Sequence, residues 1–415
     1  MRPGIISAAC IGLAVLAACG KGEPAQETPE PAAEPGMVSA EGDFATNLQT
    51  ALIEAEPGDV IRLPEGMFIL ENGLSLDVDG VTLIGAGQDK TILDFSGQTG
   101  AGEGLLVTSD DVTLMDFMIR DTKGDGIKSK GADRITYRYL TVEWSGEPDE
   151  SNGAYGVYPV ESQDVLVENV TVRGASDAGI YVGQSNNIIV RNSVAEYNVA
   201  GIEIENSTHA DVYGNIARHN AGGILVFDLP DLPVIGGNAT RIYDNQIIDN
   251  NTRNFAPPGN IVAGVPSGTG LIIMANSNIH AFGNTFSNNR SAHVMLTAYT
   301  EPFTDERYNP LPRDIVLSNN SYGEGGNDPQ GMLLPLAMLM GGSLPDIVTD
   351  GVTRYHDGDD QDLNLVIDED ESVGFLSFGL GTYPLNPMNA SPSTERPAGT
   401  PVEQPAAVSL PQDQD

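Results

Sequence analysis

Short runs of alternating apolar and polar residues, such as those around Val165 and Val167 or Ile188 and Val190, return along most of this chain. An alternation of period two puts one face of an extended strand into a core and the other outside. Val, Ile and Thr dominate these runs, and none of them sustains a helical period. Many open on a glycine: Gly104-Leu-Leu-Val, Gly126-Ile-Lys-Ser, Gly156-Val-Tyr-Pro, Gly179-Ile-Tyr-Val, Gly201-Ile-Glu-Ile, Gly223-Ile-Leu-Val and Gly270-Leu-Ile-Ile. The glycines are 22, 30, 23, 22, 22 and 47 residues apart. A unit of about 22 residues fits one turn of a parallel β-helix, and the longer steps are coils that carry loops. The pattern therefore predicts an all-β, single-stranded parallel β-helix, a solenoid that grows by adding coils.

A second marker runs in phase with the glycines, with asparagine at 169, 192, 215, 245 and 284. Stacked at one bend of successive coils, such amides bond one another and the turn backbone, so a structural ladder is expected. The glycines need no chemistry either. A tight corner demands positive φ or leaves no room for a Cβ.

Three regions lie outside the repeat. Residues 1–18 have the layout of an export signal, and Leu16-Ala17-Ala18-Cys19 resembles a bacterial lipobox, which would make Cys19 the lipidated first residue of the mature chain. Residues 19–42, rich in Pro, Ala and Glu, read as a flexible tether. The spacing of Phe44, Leu48, Leu52 and Ile53 predicts a short amphipathic helix over 43–55 that covers the first coil. The solenoid is expected over 43–325, a C-terminal cap over 326–385 and a disordered tail over 386–415. The expected location is the cell envelope, with the membrane reached only through the lipid anchor.

Composition narrows the partners. With Cys10 in the signal and Cys19 lipidated, the body has no thiol for a disulfide or a metal. A net charge of −38, spread along the chain, excludes nucleic acid, which requires clustered Lys and Arg.

The stretches Pro57-Gly58-Asp59-Val60-Ile61-Arg62-Leu63-Pro64-Glu65-Gly66 and Gly80 to Asp94 resemble the opening coils of right-handed parallel β-helix proteins of the pectin-lyase-like superfamily. The likeness extends over about Asp43 to Asn320, and is closest to exported, often lipid-anchored bacterial β-helix proteins. Lyases and epimerases of that superfamily abstract a proton beside a uronate with a basic residue, aided by Ca2+ or another cation. The Asp-Pro-His of β-helix alginate epimerases and the Arg-x-Pro-x-x-Arg of pectate lyases do not occur here.

If the residues one and three after each glycine point inward, those two and four after it form outward columns with a rise of about 4.8 Å per coil. The first column reads Leu106, Lys128, Tyr158, Tyr181, Glu203, Leu225, Ile272, Met295, and the second Thr108, Lys130, Val160, Gly183, Glu205, Phe227, Met274, Thr297. Two lysines, two tyrosines, two glutamates and an apolar patch follow in order. Exposed tyrosines stack on sugar rings, while Lys and Glu supply donors and acceptors. Lys128, Tyr158, Tyr181 and Glu203 are the candidate catalytic residues. Lys130, Trp144, Tyr155, Gln184, Glu205, Phe227 and Asp228 are the candidate substrate contacts. Ca2+ is a candidate cofactor, held by Glu203, Glu205 and Asp228. His219, next to Arg218, reads either as an acid or base or as a corner residue, and His209 and His293 have no companion at metal-ligand spacing. The expected function is binding of a polysaccharide along this face, with cleavage or epimerisation of lyase type ahead of hydrolysis. Hydrolysis would use Glu203 with Glu205, about 7 Å apart on one strand face. The alternative is a non-catalytic assembly factor that docks an envelope protein on the apolar patch.

Overall fold

The computed structural model describes residues 35–100 and 102–413. The expected signal segment and Cys19 lie outside them.

Each coil contributes three strands. Residues 178–196 show the unit: Ala178–Gly183, Asn186–Arg191 and Val194–Glu196. The next coil repeats it 22 residues later, with Ile180 beside Ile202, Ile188 beside Ala210 and Val194 beside Ile216, all parallel. The first strands of the coils join into an 11-stranded parallel sheet, and the second and third strands into a 19-stranded sheet. Side chains one and three after the glycines enter the shared core, as Ile180, Val182, Ile202, Ile204, Ile224 and Val226 do.

The repeated glycines are required for space. Gly179, Gly201, Gly223 and Gly270 have no positive φ, but a Cβ on them would meet Asn198 Nδ2 at 2.7 Å, Asn220 Nδ2 at 2.8 Å, Asn250 Nδ2 at 2.9 Å and Asn289 Nδ2 at 2.9 Å. Those asparagines form a ladder beside the start of the sheet strands, each amide donating to the next Oδ1 at 3.1, 3.0 and 3.1 Å. The asparagine marker read from the sequence divides into two columns. Asn169 and Asn192 are left-handed corner residues, at φ 54° and 53°. One position further on, Asn215, Asn245, Asn284 and Asn320 form a second ladder, with Nδ2 to Oδ1 distances of 3.0, 2.9 and 2.9 Å. Glu369 ends it by accepting from Asn320 Nδ2 at 2.7 Å.

Helix α1, Phe44–Glu54, is capped by Asp43, which accepts from the backbone N–H of Thr46. It buries Phe44, Leu48 and Leu52, whereas Ile53, expected on the same face, is exposed. The solenoid continues past the expected boundary at 325: Ile347–Thr349 and Phe375–Ser377 extend the 11-stranded sheet, and Leu365–Asp368 extends the larger one. Helix α2, Leu333–Leu339, carries the apolar run between these coils. Among the described residues no helix is long and apolar enough to cross a membrane.

The C-terminal segment has little regular structure beyond short 3-10 turns, in keeping with its composition. It is nevertheless laid back along the solenoid. Leu410 is fully buried against Leu166 and Ile189, and Asp413 accepts from Arg191 Nη1 at 2.8 Å. The apolar side chains Leu166 and Ile189 on the outer sheet face supply its seat.

Two stability changes follow. Asn245→Ala removes acceptors for the Asn215 backbone and side-chain N–H groups and a donor to Val212 O. With buried groups left unsatisfied, it should cost about 3 kcal/mol, read as a lower urea midpoint at unchanged m. Leu410→Ala should cost about 2 kcal/mol by the same measurement if the tail is seated as described, and nothing if it is free in solution.

Candidate functional site

The predicted columns exist in register. Lys128 lies beside Tyr158, Tyr181 beside Glu203, and Glu203 is followed by Leu225, Ile272 and Met295. In the second column Lys130, Val160, Gly183, Glu205, Phe227 and Met274 follow one another.

The face is not the open wall expected from the columns. The segments around Leu229 to Leu232 and Gly259 to Val262 fold over it, together with Tyr299, and leave a cleft of about 520 Å³ lined also by Tyr155, Tyr158, Asp177, Tyr181, Gln184, Glu203 and Glu205. Tyr181 is 5% exposed, Glu203 2% and Glu205 8%. The sequence reading fails here because a loop's path over a sheet leaves no period-two signal.

Small residues make the floor. Tyr155 is followed in its column by Ala178, Ala200 and Gly222, which leave room for its ring. It packs against Tyr158 at 4.5 Å and Tyr181 at 4.7 Å between centroids, and those two meet edge to face at 4.9 Å. A Cβ at Gly183 would lie 2.3 Å from the Tyr181 hydroxyl. That glycine lets the ring lie flat and donate to Glu205 Oε1 at 2.6 Å.

Three carboxylates share this space. Asp177 is held by Asn260 Nδ2 at 3.0 Å and by the Tyr155 hydroxyl. Glu205 is held by Tyr181, and Glu203 Oε2 has no hydrogen-bond partner. Burial pushes Asp177 up to about 7, against the opposing bonds from Asn260 and Tyr155. Burial, with Asp177 and Asp228 adding to it, pushes Glu205 up to about 7, while Tyr181 pulls it down. Glu203 is raised as well, by burial first and then by Glu205 and Asp177. The phenols rise as well, by burial first, with Tyr158 at about 12. Tyr155 and Tyr181 move the same way for the same first cause. Tyr158 and Tyr181 are therefore hydroxyl donors here, and poor candidates for the base suggested by the sequence.

The remaining candidates lie at the margins or away from the cleft. Lys128 sits over the Tyr158 ring at 4.8 Å, with its ammonium between Glu103 at 3.5 Å and Asp125 at 3.8 Å. Lys130 is exposed and pairs with Glu161 at 3.6 Å. Trp144 is buried in the core, its Nε1 donating to Thr122 O at 2.7 Å, and does not line the cleft. Gln184 lines the cleft, while Phe227 belongs to an apolar hollow beside it. Both oxygens of Asp228 accept from the backbone N–H groups of Gly236 and Gly237, so it ties the base of its loop. Among the described residues no group of three His, Cys, Asp or Glu side chains could hold a metal ion.

Asp177 was missed from the sequence. Two positions before each glycine the chain reads Gly102, Gly124, Ala154, Asp177, Val199, Ala221 and Gly268. A single charge in a column of small and apolar residues was the available signal.

Residues 103–251 match the family described as the right handed beta helix region. The coils and sheets form a parallel β-helix, the fold expected from the repeat, and its residues 103–251 are similar to the right-handed β-helix family. Similar solved structures include the A-module of a mannuronan C-5 epimerase from Azotobacter vinelandii, with a TM-score of 0.49 and 16% identity over 79% of this chain and 91% of that one. PfbA, a surface adhesin of Streptococcus pneumoniae, has a TM-score of 0.49 and 10% identity over 84% and 91%. An alginate lyase from a Paenibacillus species has a TM-score of 0.43 and 18% identity over 68% and 95%. These are likenesses of fold. No curated protein matches by sequence.

The raised carboxyls give a stability signature. Their folded values exceed the ordinary carboxylate range, so the folded protein keeps protons that the unfolded chain releases above about pH 4. The stabilisation is complete below that pH and is lost as pH rises through about 7. Tm should therefore fall between about pH 5 and about pH 8, and the fall should be shallower in an Asp177→Asn, Glu205→Gln double variant. Equal slopes in the two proteins would count against the assigned shifts.

Proposed function

We propose that this protein binds a polysaccharide in the tyrosine–carboxylate cleft and hydrolyses it by acid–base chemistry, as a lipid-anchored protein of the cell envelope. One observation carries the reading: three buried carboxylates converge beneath three packed tyrosines in an open cleft, with no Lys or Arg among the lining residues. Buried acids and bases near neutral pH are what proton transfer to and from a sugar requires. The tyrosine rings offer stacking surfaces and their hydroxyls offer donors.

Glu203, whose Oε2 has no hydrogen-bond partner and whose carboxyl is raised by burial, is the acid that protonates the leaving glycosidic oxygen. Asp177, steadied by Asn260 and Tyr155, is the base that takes a proton from the attacking water as the C–O bond breaks. Glu205 accepts from Tyr181 and positions that ring. A lyase or epimerase acting on uronates fits less well, because nothing in the lining neutralises a carboxylate substrate and Lys128 is engaged by Glu103 and Asp125. The substrate favoured is an uncharged glycan.

The test combines a glycan array of neutral and uronate polysaccharides with an assay for new reducing ends. Neutral glycans should bind and be cut. Glu203→Gln and Asp177→Asn should each lower turnover about 100-fold or more, with little change in affinity. Tyr158→Ala should weaken binding about tenfold. Cleavage of uronates with a rise in unsaturated-product absorbance, or full turnover in both carboxylate variants, would reject this reading.

A further inference from the structure

The sheet face changes character within one coil. Glu203 is followed in register by Leu225, Ile272 and Met295, and Glu205 by Phe227 and Met274, so the carboxylates give way to an apolar floor at a rise of about 4.8 Å. Above that floor lies a separate hollow of about 120 Å³, walled by Val265 and Met332 and carrying one charged lining residue, Glu301. Ile261 and Tyr299 line both the hollow and the cleft, so the two spaces share a wall.

We infer that the hollow is a subsite for a short acyl group on the glycan, so that the substrate is an O-acylated neutral polysaccharide. This rests on the glycan reading of the cleft. A cavity of about 150 Å³ lined by Leu, Ile and Phe accepts benzene, so this smaller one takes a chain of about four or five heavy atoms. An ester carries no charge, which suits a space bordered by carboxylates and a glutamate. A sugar ring over Tyr181 and Glu203 is one coil away from Leu225 and Phe227, within reach of an ester on that ring or the next. Met274, Met295 and Met332, flexible and polarisable, adapt to acyl chains of slightly different length. The competing occupant, a side chain of a partner protein, would use the hollow without regard to a sugar in the cleft.

The experiment measures, by calorimetry on the full chain, the affinity of each neutral oligosaccharide of the array in its free and O-butyrylated forms. Butyrylation should tighten binding about tenfold in the wild type, the gain expected for burying a few methylene groups. Met274→Gln and Met295→Gln should each reduce the gain to about twofold while leaving the affinity of the free sugar unchanged; Met274 is half-buried, so its variant is expected to fold even if the other does not. Equal affinities for free and acylated sugars, or a preference that survives in both variants, would overturn the acyl subsite while leaving the cleft assignment intact. If no sugar of either form binds, the glycan reading falls and the subsite falls with it.

Discussion

Parallel stacking in register is the constraint from which the rest of this structure follows. A coil that places every residue about 4.8 Å above its equivalent makes each column a test of whether like can sit on like. Asparagines pass, because an amide donates upward and accepts from below, and the ladders are the result. Flat aromatic rings pass as well, as in the stack of Tyr213, Tyr243 and Phe282. Charges pass when they alternate, or when a carboxylate accepts from the backbone of the next coil, as Asp79 does from Asp110 and Asp110 from Asp133. Glu168 lies between Arg138 and Arg191, and Glu196 between Arg173 and Arg218, each in contact with both neighbours. Burial alone would push Glu196 up, yet Arg218 and Arg173 hold it below the ordinary range.

The cleft breaks that rule. Glu203 has Tyr181 on one side and Leu225 on the other, Glu205 has Gly183 and Phe227, and Asp177 is near enough to both to raise them. Nothing in the packing of the coils calls for three carboxylates without a cation. Glu168 and Glu196 are compensated by arginines on the neighbouring rungs and the cleft carboxylates are not, which separates them physically from those two.

How much of this could be read from the sequence depends on whether the signal was periodic. The columns that carry Tyr158, Tyr181, Glu203 and Glu205 came from counting after each glycine, and the pairing matches that count residue by residue. The reason for the glycines was only half legible. Spacing fixes their column, but their proximity to the Asn198 ladder depends on a second column at another corner. Asn169 and Asn215 looked equivalent because Asn serves equally in a left-handed corner and in a ladder, and one residue of phase divides the two roles. What came from outside the period was lost: the path of the loops across the cleft, Leu410 returning to Leu166, and Asp177, whose charge stands out only against its own column.

The loops and the ladder act on the same three side chains in opposing ways. Closure by Leu229 to Leu232 and Gly259 to Val262 removes water from the carboxylates, which raises their proton affinity and costs stability whenever they ionise together. A strand edge free to move would relieve that cost by turning Glu203 or Glu205 outward. The strands that bear them are held on both sides by parallel neighbours, and Gly179, Gly201 and Gly223 at the strand starts lie so close to the Asn198, Asn220 and Asn250 amides that no Cβ would fit. The ladder that ends one strand of each coil therefore sets the position from which the next begins. In this way a purely structural column keeps three unfavourable neighbours in place, and a sheet that would otherwise be inert holds protons near neutral pH.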